Sequence, residues 1–419
     1  MGSYVDRFWA SDASGMNKTE RIGGAYHPYV PDKLGGFELL IEPSCAKALS
    51  QAHDALSALE RSGLLIDTEP LARMLLRAEA VSSSRIEGLE IPAGKLLEYE
   101  ELDRLGVEHR LDSAEAQVLG NVHALTDSLS GVEAGHGFSI EGICAINKAL
   151  LAGTRMADEG GVLRTTQNWI GGNRVNPVGA AYVPPEPDLV PGLMEDLVGF
   201  LNGTELPAVA TAALAHAQFE TIHPFADGNG RTGRALIHEV LKGAGLTRTT
   251  VPPVSLVLAT DRERYIANLG AYRTCERDDR NKAANEWVEY FANTCTVACR
   301  RALDFERVLE GIRDAWVEKT GFRANSAGRL LIDVLPGTPA ISIKTAQALT
   351  GRSYPAARSA VLALEQAGIL RQNSKNRKSG IYVAHEIVEA FNAYERALAT
   401  VSGDTSVEKP RRKVPQRSK

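Results

Sequence analysis

The side chains most able to do chemistry stand in one run, His223–Arg234, reading HPFADGNGRTGR. His223 is its only side chain whose ordinary pKa lets it accept a proton near neutrality. Asp227 offers a hard oxygen ligand of the kind that suits Mg²⁺ bridging phosphates. Gly228, Asn229 and Gly230 can take positive φ or close-approach conformations, so successive N–H groups can point into one concavity. The ALIHEVLKGAG that follows reads as a helix ending in glycine, whose N-terminus adds donors and a positive dipole end. Arg231 and Arg234 are three apart, project from nearly one face and are expected in its first turn. The dipole of an empty helix repels cations there, and phosphates in the cradle would make the placement favourable. A lone histidine or a lone GxG would read as an ordinary turn. A base, a metal carboxylate and a phosphate cradle in one window imply transfer of a phosphorus-centred group to a hydroxyl. Phe225, between polar neighbours, is expected to anchor the loop in the core.

The elements that must position this window are mostly helical. Residues 1–24 are polar and glycine-dotted without sustained period, and read as a flexible leader. PSCAKALSQAHDALSALERSG has Ala and Leu at helical spacing and is expected to stop at Gly63. DTEPLARMLLRAEAVSSSRIEGLE follows, with Asp67 or Thr68 as N-cap and Gly88 as stop. Further helices run through LDSAEAQVLGNVHALTDSLSG, SIEGICAINKALLAG and PDLVPGLMEDLVGFLNG. GVLRTTQNWIGGNRVNPVGAAYVPPEP breaks the pattern with Gly, Pro, Asn and β-formers, and reads as a short hairpin at about 171–183. ELPAVATAALAHAQFETIH then resumes as a helix buried on most faces and runs directly into the window.

After a linker helix at 301–320, SAGRLLIDVLPG, SIKTAQALTG and SYPAARSAVLALEQAG make three short helices, and ILRQNSKNRKSGIYVA a basic hairpin. That order is the winged helix-turn-helix plan, with Gly351 in the turn and Ser353–Pro355 opening the recognition helix. Val361, Leu362 and Leu364 suit its core face. Arg352 and Arg358 remain available outside, and Arg371, Lys375, Arg377 and Lys378 suit a wing touching phosphates. Such modules also bind proteins. The end, KPRRKVPQRSK, reads as part of a basic, disordered tail at 398–419.

The 419 residues allow two or three domains, and 44% hydrophobic with 24% charged content is that of a globular protein. The net charge of −5 gives no global pull toward nucleic acid or membrane. Cys45, Cys144, Cys275, Cys295 and Cys299 lack CxxC spacing, so neither a disulfide framework nor a zinc site is expected. No signal pattern opens the chain and no apolar run reaches bilayer length, so a cytoplasmic protein without a membrane partner is expected.

The window also resembles a family. It matches the Fic pattern HxFx(D/E)GNGRxxR at His223, Phe225, Asp227, Gly228, Asn229, Gly230, Arg231 and Arg234. YHPYVPDKL, GVLRTTQNWIGG…YVPP, RERYIANLGAYR and EWVEYF extend the resemblance over roughly residues 25–300. It implies a mainly α, Fic-type helical bundle with a β-hairpin flap, followed by the winged helix-turn-helix at 321–397. The N-terminal helical region would span 25–110, with an inhibitory helix at about 68–88, and the catalytic core 111–300.

Fic proteins mostly transfer AMP from ATP to a Ser, Thr or Tyr hydroxyl of a target protein. Carried over, His223 deprotonates the hydroxyl and Asp227 holds Mg²⁺ on the α- and β-phosphates. Asn229 with the Gly228 and Gly230 amides stabilises charge at the α-phosphate, and Arg231 and Arg234 steady the outer phosphates. The flap, with Gly172, Val175, Val178 and Tyr182, clamps a target segment by main-chain pairing. Tyr265 and Trp287 could border the nucleotide, although aromatics at helical spacing are usually core.

SSSRIEG resembles the family's inhibitory pattern (S/T)xxxE(G/N), through Ser83, Glu87 and Gly88. It implies that Glu87 pairs with Arg234 and leaves wild type nearly silent. The family's self-association implies a homodimer as a further partner state. Two other readings stay open: removal of AMP or transfer of another phosphate group on the same fold, and a nucleotide-sensing DNA-binding regulator.

Overall fold

The computed structural model describes residues 2–11, 17–65, 69–107, 112–274, 276–372, 380–399 and 410. Asp67, Thr68, Cys275, Lys375, Arg377, Lys378 and nearly all of the basic tail lie outside the described residues. The chain divides into two compact units. One comprises Met1–Ala52, Asp127–Gly245 and Glu263–Asn293; the other comprises His53–Thr126, Leu246–Arg262 and Thr294–Lys419. Both are mainly helical with small sheets. No helix among the described residues is long and apolar enough to cross a membrane.

In the first unit, residues expected as an unstructured leader instead form strands. Gly2–Tyr4 pairs antiparallel with Tyr29–Pro31, and Arg7–Trp9 with Gly24–Tyr26. Three-residue strands are too short to show a period. Edge-on ring contacts hold them: Tyr4 on Tyr29 at 5.1 Å, Trp9 on Tyr26 and on Trp169 at 6.0 Å. The helices Ile140–Leu151 and Val190–Gly203 follow the expected apolar spacing.

Two helices form the centre of this unit. Ala208–Ile222 is alanine-rich, and every residue from Val209 to Ile222 is buried. Asn229–Gly243 packs along it, also buried from Asn229 to Leu241. Gly233 sets their separation: a Cβ there would meet Phe219 Cδ1 at 2.8 Å and Glu220 Oε1 at 2.9 Å. The second helix starts at Asn229, earlier than expected, because Gly228 takes φ 77° and lets the chain turn directly into it. Arg231 therefore lies in the first turn and Arg234 in the second.

The second unit holds Glu69–Ile86, Ala93–Arg104 (which the sequence reading did not resolve), Val254–Thr260 and the C-terminal elements. Ala80, Val81, Ile91, Leu96, Val118, Leu119 and Val122 make one core. The helix expected to stop at Gly63 runs Pro43–Leu65, since an interior glycine costs only about 1 kcal/mol against alanine. The expected linker helix is the second half of one 41-residue helix, Arg280–Thr320, which no proline interrupts.

Beyond it stand the helices Ala327–Val334, Ile343–Thr350 and Tyr354–Gln366. Gly351, in the turn between the last two, has φ 62°. Ala340–Ile341 and Arg371–Gln372 both pair antiparallel with Tyr382–Val383, which lies between them. His385–Ala397 adds a further helix. Val361 and Leu364 are fully buried, Leu362 is half-buried, and Arg352 and Arg358 are exposed.

The close approach at Gly233 yields a direct test. Gly233→Val forces the two central helices apart and is expected to cost about 1–3 kcal/mol, read as a lowered denaturation midpoint. An unchanged midpoint would mean the helices do not depend on that contact.

Candidate active site

The helix Ala208–Ile222 ends because His223 takes a left-handed conformation, φ 51° and ψ 60°, while its N–H still bonds Phe219 O at 2.9 Å. A side-chain-bearing residue adopts that region at a cost of roughly 1–2 kcal/mol, so neighbours must enforce it. Three do. Arg164 Nε donates to His223 O at 2.9 Å, Arg164 N–H to Pro224 O at 2.9 Å, and Asn168 Nδ2 to His223 O and Phe225 O at 3.2 and 3.1 Å. Asn229 completes the set, accepting from Phe225 N–H and donating to Phe225 O, both at 2.8 Å. Phe225 itself is fully buried, as its position between polar neighbours suggested.

Every carbonyl from His223 to Phe225 is therefore held by a side chain or amide of this unit. Arg164 also donates through Nη2 to Ile222 O at 3.4 Å and Pro185 O at 2.5 Å. Its guanidinium sits at the negative end of the helix, where a cation is favourable. Burial lowers its pKa to about 10, which leaves it charged at neutral pH.

On the other side of the loop the donors gather. The first intrahelical bond runs from Thr232 N–H to Gly228 O at 2.9 Å. The N–H groups of Asn229, Gly230 and Arg231 precede it and have no acceptor within the helix. Asp227 stands beside them with its side chain half-exposed; Oδ1 accepts from Gly228 N–H at 2.7 Å and Oδ2 lies 3.8 Å from Arg231 Nη2. Arg231 and Arg234 are 4% and 1% exposed, so both guanidiniums are drawn into the protein rather than splayed into water.

Asn147, fully buried, donates to Asp227 O at 2.9 Å and Thr232 Oγ1 at 3.2 Å while accepting from Gly161 N–H at 3.0 Å. Gly228 must be glycine here, because besides its positive φ a Cβ would press on Leu150 at 2.9 Å and Asn147 at 3.0 Å.

One motif residue has a structural task that its sequence position did not show. Both ends of the Asn229 amide are engaged with Phe225, so its side chain staples the loop. Tyr265 and Trp287, 3% and 1% exposed, are core residues. Trp287 Nε1 donates to Ala213 O at 2.7 Å, and the Tyr265 hydroxyl lies 2.8 Å from His216 Nε2.

His216 Nδ1 lies 3.1 Å from Gly233 O, which can only accept. That assigns the proton to Nδ1 and leaves Nε2 to accept from Tyr265. Burial first, then the nearby Arg234, hold the His216 pKa down to about 3. A neutral ring thus supports the segment between the two arginines.

The expected hairpin is a loop with a single antiparallel bridge, Ile170 to Tyr182. Gly171 and Gly172, at φ 75° and 74°, turn the chain out of pairing, and Asn173 Oδ1 accepts from Val175 N–H at 2.8 Å. Val178 lies against Gly24. Tyr182 ties the loop to the motif: its hydroxyl donates to Thr221 O at 2.6 Å, and the Arg273 guanidinium lies 4.3 Å over its ring. Ser83, buried, and Glu87, exposed, belong to the other compact unit.

Sequence reasoning missed Asn147, Arg164, Asn168 and His216. Each is a polar residue within an otherwise apolar helix or a block valued for its turn residues, and nothing local marks its bonding partner.

No cluster of three or more His, Cys, Asp or Glu able to hold a metal occurs among the described residues. A single accessible carboxylate beside anion-binding amides is what Mg²⁺ shared with substrate phosphates requires, and Asp227 fits it.

Residues 137–241 match the Fic/DOC family model and residues 46–130 its Fic/DOC N-terminal model. The protein adenylyltransferase fic-1 of Caenorhabditis briggsae is 30% identical over 193 residues, 44% of this chain and 32% of that protein. A probable protein adenylyltransferase of Aquifex aeolicus (strain VF5) is 36% identical over 126 residues, 27% of this chain and 37% of that protein. The chain thus spans about a third of the length of these relatives. A Fic family protein from Desulfovibrio desulfuricans G20 shares the fold, with a TM-score of 0.50 and 19% identity over 83% of this chain and 98% of that one.

The His216 tautomer is testable by nuclear magnetic resonance. Its ring signals should keep the neutral form from pH 8 to pH 5. The folded pKa lies below the unfolded one, so the unfolded chain binds the extra proton. The contribution to stability should therefore fall as pH drops from 6.5 toward 3, a slope that His216→Gln removes. A ring that titrates near 6.5 would refute the assignment.

Proposed function

Starting from a chain that is a Fic family protein, we propose that it is a protein adenylyltransferase. It moves AMP from ATP to a Ser, Thr or Tyr hydroxyl of another protein, and Glu87 silences it by pairing with Arg234. The observation that carries the reaction is the enforced left-handed turn at His223. It sets a base and a half-exposed carboxylate on one loop running into the donor end of a helix.

In the reaction, His223 accepts the proton of the attacking hydroxyl. The oxygen bonds to the α-phosphorus, and the bond from that phosphorus to the bridging oxygen breaks, releasing pyrophosphate. The N–H groups at the start of the motif helix stabilise the charge that develops on the α-phosphate oxygens. Arg231 and Arg234 bind the outer phosphates, and Asn229 keeps the loop in register. Asp227 would hold Mg²⁺, which when bound neutralises phosphate charge. The loop at 170–182 carries the target segment, with Gly172 and Val175 at its turn and Val178 and Tyr182 anchoring it.

Purified Glu87→Gly incubated with α-labelled ATP and Mg²⁺ should gain the mass of AMP, while wild type stays nearly unlabelled. Adding His223→Ala should lower that labelling by about 10²–10⁴-fold. Glu87→Gly that labels no better than wild type would refute the latch.

We further read residues 321–397 as a winged helix-turn-helix. Support comes from the three short helices and from a sheet whose last strand, Tyr382–Val383, lies between the other two. The N-terminal half of Tyr354–Gln366 exposes Tyr354, Pro355, Arg358 and Ser359, with Arg352 just before it. Those are groups suited to phosphates and base edges, and duplex DNA is the proposed partner. The full chain should retard mixed-sequence duplex DNA at low salt and release it as salt rises. Arg358→Ala should weaken that binding, and absence of retardation by wild type removes the DNA reading.

A further inference from the structure

The helix Glu69–Ile86 delivers Glu87 one residue beyond its end. Its last turn closes as a Schellman motif. Leu89 N–H donates to Ser84 O at 3.0 Å and Gly88 N–H to Arg85 O at 2.9 Å, with Gly88 at φ 85°. This closure ties the Glu87 backbone to residues 84–86, so whatever holds Arg85 and Ile86 also holds Glu87.

Two polar contacts hold them, both within the second unit. Arg262 Nε donates to Ile86 O at 2.8 Å. Arg85 Nη2 donates to Glu395 Oε1 at 2.9 Å, and the two side chains are 12% and 1% exposed. Glu395 lies in the last turn of His385–Ala397, and that helix is itself packed in place. Phe391 and Tyr394 contact Phe305, the latter stacked at 4.6 Å.

The C-terminal segment also grips the other end of the same helix. Arg77 Nη1 donates to Gly337 O at 2.7 Å and Arg73 Nη1 to Thr338 Oγ1 at 3.1 Å. Gly337 lies so close that a Cβ on it would fall 2.4 Å from Pro70 Cα. A buried ion pair adds little net stability, but it tolerates few geometries, because moving one partner strands the other. Such a pair at the last turn, with backbone contact at the first, specifies where the helix stands.

We infer that Arg85 and Glu395 are the positioning pair for Glu87, so that residues 337–338 and 385–397 hold the inhibitory residue at its station. The inference rests on the reading of Glu87 as the silencing residue. A ligand of the C-terminal segment would switch the enzyme on only if it prefers the arrangement with this pair broken.

The test uses the full chain and self-labelling from α-labelled ATP, with thermal melts confirming folding. Glu395→Gln should label about tenfold or more above wild type, and Arg85→Lys, which keeps the charge, should stay near wild type. In the Glu87→Gly background Glu395→Gln should add nothing. A role in general folding would instead lower labelling in that background, which overturns the inference. Glu395→Gln as silent as wild type, beside an active Glu87→Gly, also overturns it and leaves the transferase reading intact. If Glu87→Gly fails to label, the transferase reading fails. Hydrogen exchange of the Leu89 amide then decides: faster in Glu395→Gln supports the pair, and unchanged exchange overturns it. Should Glu395→Gln melt early, Arg85→Gln takes its place in each comparison.

Discussion

The left-handed turn at His223 is the constraint on which the rest of the first unit depends. A helix that simply continued would bury this imidazole among the apolar residues that fill Val209 to Ile222. By leaving the right-handed region at one residue, the chain reverses direction, buries Phe225 and brings Gly228 to the start of the next helix. The roughly 1–2 kcal/mol cost of the turn is offset by bonds from Arg164, Asn168 and Asn229 to backbone oxygens that would otherwise be buried without donors. Strain of this kind collects at functional sites because the surroundings over-determine it.

The carbonyls of the loop are taken up by side chains, and this orders the electrostatics. Negative dipoles point into the protein, toward Arg164 and Asn168, while the donors at the start of Asn229–Gly243 stand on the other side. His216 extends the same logic underneath the motif. A protonated imidazole between Gly233 and Tyr265 would add positive charge to a segment that already carries Arg231 and Arg234. Burial keeps it neutral, with the proton on Nδ1 where a carbonyl accepts it.

Much of this was legible in the residues and some was not. The backbone of the motif could be read because a glycine expected to serve the cradle is also the one that permits the turn into the helix, Gly228 at φ 77°. The buried helix before it and the stop at Gly88 followed from composition and from positive φ at glycine. The staples were illegible. Arg164 lies 59 residues from the oxygen it holds and Asn147 lies 80 from its own, and neither spacing nor propensity links such pairs. Asn229 closes a ring on Phe225, a structural contact that its place beside the glycines did not announce. The strands at residues 2–9 escaped because they are held by rings of Tyr29, Tyr26 and Trp169.

Three charged groups near helix ends separate structure from function. The Arg164 guanidinium lies at the C-terminal end of Ala208–Ile222, where the dipole favours a cation, and its bonds are all to backbone oxygens. Arg231 lies in the first turn of Asn229–Gly243 and Glu87 just past the last turn of Glu69–Ile86, each at the end where the dipole opposes it. Placements of this kind cost about 0.3–1 kcal/mol apiece at exposed sites. A charge that the local field favours is sufficiently explained by folding. One that the field opposes draws a partner of the other sign, and beside Arg231 the Asp227 carboxylate lies 3.8 Å away.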